Sequence, residues 1–141
     1  MNRGSFGAVV GAVVMCVLAA GCSSSPTAGH STDRPSASQT PVEAAKSWFR
    51  AINTKDKAEA VAHFQSSAQD QMDWGSGDTT GWPTFSSVRC HLVNENERDA
   101  AVYCSFSESD APDVGNPDSF WTIELQRQLG KPWLITGYGQ G

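Results

Sequence analysis

The chain has 141 residues, with 15 Asp and Glu against 10 Lys and Arg and a formal charge of −5. That length holds one small domain with appended segments. The acidic balance leaves no basic patch able to release counterions from phosphates, which excludes a nucleic-acid partner and disfavours contact between the polypeptide and anionic lipid headgroups.

At the N-terminus Arg3 supplies a positive charge, and residues 7–18 form an apolar run containing Val9, Val10, Val13, Val14, Met15 and Val17. The run is about half of the roughly 20 residues needed to cross a hydrocarbon layer, and small residues follow it, so it reads as a signal-peptide core over a transmembrane anchor. Leu18-Ala19-Ala20-Gly21-Cys22 resembles the lipobox of bacterial lipoproteins, with Ala19 where many lipoboxes carry leucine. The resemblance implies cleavage before Cys22 and acylation of its thiol; Cys16 is a poorer acceptor because bulky Met15 precedes it. A plain secretory signal is the alternative. Residues 1–21 are thus expected to be removed and the rest lipid-anchored outside the cytoplasm, on the cell membrane. Loss of Arg3 leaves 9 Lys and Arg against 15 Asp and Glu, a formal charge of −6.

Residues 22–40 are rich in Ser, Thr, Pro, Ala and Gly with almost no large apolar side chain, the composition of a disordered tether. Residues 41–141 then form one expected domain. Thr40-Pro41-Val42-Glu43 reads as a capping box with proline at the first helical position. Val42, Ala45, Phe49 and Ile52 recur at helical spacing, with Trp48 widening the stripe and Lys46, Ser47 and Arg50 left for solvent. Asp56 to Glu59 offers a second capping box, beyond which Val61, Phe64, Ala68 and Met72 predict a second amphipathic helix. Three glycines and Pro83 between Trp74 and Pro83 predict a loop. Trp74 and Trp82 flank this loop and are candidates for an exposed aromatic binding surface, with satellite packing as the alternative.

The pattern then turns to period two. Val88, Cys90 and Leu92 alternate with Arg89 and His91; Val102, Cys104 and Phe106 alternate with Tyr103 and Ser105. Pairing Cys90 with Cys104 in an antiparallel hairpin sets Val88 opposite Phe106 and Leu92 opposite Val102, so one register serves both the disulfide and the apolar face. Such opposition lies within disulfide reach, and an exported chain meets oxidising conditions, so a Cys90–Cys104 bridge is expected over two free thiols. Asp110, Asp113, Asn116 and Asp118 miss the spacing of a calcium loop, with Pro112 and Pro117 intervening, and read as a solvated connection. Trp121, Ile123 and Leu125 alternate next, and a turn of odd length near Gly130 would put Trp133 and Ile135 on their face. The expected fold is α+β: two N-terminal amphipathic helices packed on a curved antiparallel sheet of about four strands.

The run from Pro41 to Phe49, the segment from Asp56 to Phe64, and paired hairpins ending in Gly130-Lys131-Pro132-Trp133-Leu134-Ile135 together resemble small actinobacterial lipoproteins of the nuclear transport factor 2-like, cystatin-like superfamily. That resemblance implies a cone-shaped domain whose sheet wraps a helix and which, in different members, holds a ligand, an active site or neither. Enzymatic members place an acidic base and a proton donor inside the cone, for which His63, Asp70, Asp73, Tyr103 and Tyr138 are the available residues here. No family catalytic motif maps onto them residue by residue. Phosphate-loop, HExxH, CxxC and GxSxG patterns do not occur in the chain. The favoured expectation is a non-catalytic binding or interaction module of the cell envelope, meeting an envelope protein or a small ligand, with no cofactor and no metal. The alternative is a small-molecule isomerase or cyclase using the concave face of the cone.

Overall fold

Proline at N1 and a threonine cap start helix α1, Pro41–Asn53. The capping box forms in full: the Glu43 N–H donates to Thr40 Oγ1 at 3.3 Å, and the Thr40 N–H donates to Glu43 Oε2 at 2.8 Å. The backbone bond from Thr40, more than its hydroxyl or Lys46, holds the Glu43 carboxyl below the usual range. The computed structural model describes residues 33–72, 79–109 and 119–140. The expected signal peptide, Cys22, Trp74 and the acidic positions between 110 and 118 lie outside the described residues. Among those described, no helix is long and apolar enough to cross a membrane.

α1 buries Ala45, Trp48, Phe49 and Ile52 as its spacing predicts, and it also buries Ser47, which the pattern had left for solvent. The Ser47 hydroxyl is satisfied inside the helix by donating to the Ala44 carbonyl at 2.9 Å. The helix stops at Thr54, after which Lys55 adopts a left-handed φ of 59°. Residues 33–40, read from composition as the end of the tether, attach to this helix: Arg50 Nε donates to Asp33 Oδ1 at 2.8 Å.

The second helix is a correction to the periodicity. Helix α2 spans only Lys57–Val61, capped by the Asp56 carboxylate accepting from the Glu59 N–H at 3.0 Å. The chain then pairs with the last strand: Ile135 N–H donates to His63 C=O at 2.7 Å, and Gln65 N–H donates to Ile135 C=O at 2.9 Å. A 3₁₀ segment, Ser66–Met72, follows. Phe64, Ala68 and Met72 are buried as expected, but by three short elements. Helical spacing records which residues go inward; the bridge to the sheet, a non-local contact, breaks the helix between them.

Four antiparallel strands complete the domain: β1 Thr84–Glu95, β2 Asp99–Ser109, β3 Ser119–Gln126 and β4 Leu134–Gly139, neighbours in that order. The fold is α+β with a single meandering sheet. Cys90 lies opposite Cys104, with the sulfurs 2.07 Å apart, and Leu92 opposite Val102, as the register requires. Val88 meets Phe106 only as part of a bulge: between Ser86 and Arg89, with Ser87 at φ 55°, Ser87 and Val88 together stand opposite Phe106, and the pairing shifts by one residue. The extra residue brings Phe85 and Val88, three apart, onto the same inner face. A second bulge falls between Leu92 and Asn94, and beyond the helix Leu92 is 43% exposed. In the other hairpin Leu125 faces Ile135 and Gln126 faces Leu134, a register centred on Gly130, and Trp133 and Ile135 are buried as predicted.

Both edges of the sheet are partly capped. On β1 the Asn53 side chain donates to the Phe85 carbonyl at 2.7 Å and accepts from its N–H at 2.8 Å. On β4 the bridge from residues 63–65 is extended by Gln71 Nε2, which donates to the Thr136 carbonyl at 3.2 Å. These side chains occupy ladder groups that would otherwise invite another strand.

Candidate functional site

The side of the sheet facing α1 is filled. Trp48 lies 5.4 Å from Phe64, 5.9 Å from Trp121 and 4.9 Å from Tyr138, and Phe49 lies 5.1 Å from Phe85 and 5.3 Å from Phe106, ring centre to ring centre. These rings occupy the space that a ligand would take in a hollow cone. Tyr138 is committed there too, its hydroxyl donating to the Gln71 carbonyl at 2.9 Å.

The four described acid–base candidates, His63, Asp70, Tyr103 and Tyr138, are not gathered into one site. His63 is 1% exposed beside the β4 bridge, and its Nε2 has no hydrogen-bond partner. Burial lowers its pKa to about 4, opposed by a backbone hydrogen bond and the charge of Asp33, while Arg50 adds to the lowering. Asp70 is exposed on the 3₁₀ segment, Asp73 lies outside the described residues, and Tyr103 stands on the far face of the sheet. The second expectation to change concerns Trp82. Only 2% of it is exposed, and Lys55 binds the segment that carries it into β1: Lys55 Nζ donates to the carbonyls of Trp82 and Pro83 at 2.5 and 3.0 Å and to Thr84 Oγ1 at 3.2 Å. Glycine-rich flanks suggested exposure; the lysine at the helix end reverses it.

Opposed residues of an antiparallel pair share a face, so the register specifies what the other side of the sheet displays. One row reads Arg89, Ser105, Phe120; the next reads His91, Tyr103, Thr122, Gly139. Among the described residues no helix covers these rows. The rings form a diagonal ladder, with His91 to Tyr103 at 5.0 Å and Tyr103 to Phe120 at 5.4 Å, the latter two nearly parallel at 20°. Beside it lies a cavity of about 330 Å³ lined by Ser87, Arg89, Tyr103, Ser105, Ser107 and Phe120 among others. Toward β4 a second depression of about 360 Å³ is lined by Thr122, Glu124, Gly137 and Gly139, with open space over Gly139 and the Glu124 carboxylate against Gly137. The disulfide sits directly behind this surface, since Cys90 lies between Arg89 and His91 and Cys104 between Tyr103 and Ser105.

A larger cavity of about 520 Å³ lies between residues 65–67 and the β3–β4 turn. Three of its polar side chains already serve the fold: Arg127 lies 4.2 Å over the Trp133 ring, and Gln65 Nε2 donates to Gln126 Oε1 at 3.4 Å. The guanidinium of Arg89, by contrast, forms no ion pair among the described residues. Among the described residues, the open face therefore offers aromatic surface, hydroxyls and the Arg89 cation, with His91 and Glu124 on the same face, a set suited to holding a ligand.

Arg89, His91 and Ser105 were visible in the sequence only as the polar partners of an alternating pattern. Phe120 carried no signal of its own; its pairing with Ser105 is what brings it beside Tyr103. Comparison of the chain with protein-family models, with curated proteins and with solved structures finds no match.

Proposed function

We propose that this chain is an exported lipoprotein, cut before Cys22, acylated there and held on the outer side of the cell membrane, whose folded part is a non-catalytic binding module of the envelope. The anchor reading rests on the short apolar run, the small residues after it and the one well-placed thiol. The binding reading is carried by a single contrast: the helix side of the sheet is packed with aromatic rings, whereas the opposite face presents the Arg89, Tyr103 and Phe120 groove. Helix-first order followed by a four-stranded antiparallel meander supports keeping the cystatin-like, nuclear transport factor 2-like relationship as part of this proposal.

The second reading is a small-molecule isomerase or cyclase, favoured by one observation, the buried and unpartnered Nε2 of His63. Two experiments separate these possibilities. Cys22→Ala should abolish incorporation of radiolabelled palmitate and leave unprocessed precursor; retained label would remove the anchor. In cells lacking the wild-type gene, a folded Tyr103→Ser/Phe120→Ser protein should fail to restore the phenotype while folded His63→Gln restores it. The reverse pattern would replace binding by catalysis.

A further inference from the structure

We infer that the open-face groove takes an acidic carbohydrate, its sugar ring against Tyr103 and Phe120 and its carboxylate against Arg89. The inference rests on the binding-module reading above and names the ligand class of that surface. Three features point to it. First, the cavity of about 330 Å³ is at the small end of ligand sites, room for a ring or two and not for a folded partner's anchor cluster. Second, its walls combine nearly parallel aromatic rings with the hydroxyls of Ser87, Ser105 and Ser107. A pyranose has the matching character, with a C–H face that packs on aromatic carbon and a rim of hydroxyls that needs many partners. An apolar or purely aromatic ligand would leave those hydroxyls desolvated and unpaired, which costs affinity. Third, among the described residues Arg89 is the only charged side chain lining the cavity, and none of the described carboxylates lines it. A fork of guanidinium donors selects a carboxylate or similar planar anion at that end.

The neighbouring depression extends the same surface across Thr122 toward the open space over Gly139 of β4, which is room for further sugar units. Glu124 stands at that end, so the acidic group belongs at the Arg89 end and the continuation should be neutral. Orientation as well as composition is thereby specified.

The test is titration calorimetry on the mature lipoprotein in neutral detergent micelles, with galacturonan and hyaluronan tetrasaccharides as acidic probes and cellotetraose as the neutral one. At least one acidic probe should bind more tightly than cellotetraose, and the difference should shrink as salt is raised. Arg89→Gln should weaken acidic binding by about tenfold or more, the worth of a charged hydrogen bond, and abolish the preference over cellotetraose. Tyr103→Ser/Phe120→Ser should remove binding of both kinds with the melting curve retained. Wild-type protein that binds neither acidic probe, or an Arg89→Gln protein that binds them equally well, overturns the carbohydrate assignment. The cellular complementation above then tells the two failures apart. If Tyr103→Ser/Phe120→Ser still fails in cells, the face binds some other chemistry; if it complements, the binding reading falls as well.

Discussion

His63 illustrates how one buried side chain ties pH to stability. Its folded pKa of about 4 lies below the ordinary value of 6.5, with burial as the main cause. Above pH 6.5 the imidazole is neutral in both folded and unfolded chains, and the shift contributes nothing. As pH falls below 6.5 the unfolded chain takes up a proton that the folded one refuses, so stability is lost progressively down to pH 4 and then levels off. The loss amounts to about 3 kcal/mol. Urea denaturation of wild-type and His63→Gln proteins between pH 7 and 4 should show the wild type losing that much more than the variant; parallel curves would mean that His63 titrates normally. Lys55 is the other decisive residue. Its left-handed φ costs something for a side chain with a Cβ, and its ammonium recovers this by binding three oxygens of residues 82–84. Together with the Thr79 hydroxyl donating to the Lys55 carbonyl at 2.9 Å, it holds the start of β1 against the end of α1.

Among the elements, the β1–β2 hairpin carries the most. Its disulfide closes a separation of 14 residues, for which chain-entropy arguments give about 3 kcal/mol. Cys90→Ala/Cys104→Ala should therefore lower stability by about that amount in urea denaturation. Because the bridge pins the strands between Arg89 and His91 on one side and Tyr103 and Ser105 on the other, the same variant should also weaken ligand binding under conditions where it remains folded. Unchanged stability would mean that the bridge is dispensable to the fold. The two bulges in β1 have a separate effect: they break its pairing with β2 into three short runs, residues 84–86, 89–92 and 94–95, and bend the edge strand, which discourages pairing with another strand.

At the scale of the whole molecule, the sheet divides two tasks. The inner face, under α1 and the segment from residue 57 to 72, is core; the outer face is covered by no helix among the described residues and is the surface on which the proposed binding would take place. Trp82 belongs to the first. Trp82→Ala should cost about 3–5 kcal/mol by leaving a cavity, and should affect binding only through unfolding. A Trp82→Ala protein of wild-type stability that has lost its ligand would return Trp82 to the role of contact residue.

What the sequence by itself determined is what local spacing can encode. Thr40, Pro41 and Glu43 specify the start of α1 because capping bonds reach only three residues. Alternation specifies the strands because side chains change face at every residue. Cys90 and Cys104 reveal their register because the disulfide and the apolar pattern must agree. What only the tertiary structure decided depends on contacts between distant segments. Ile135 bonding to residues 63–65 divides a helical stripe into three pieces, and Lys55 reaching residues 82–84 draws Trp82 inward. A single extra residue near Ser87 reverses which side chains of β1 face the core. The candidate site belongs to this second class: Arg89, Tyr103 and Phe120 come from three strands, and no one-dimensional pattern places them together until pairing has stacked their rows.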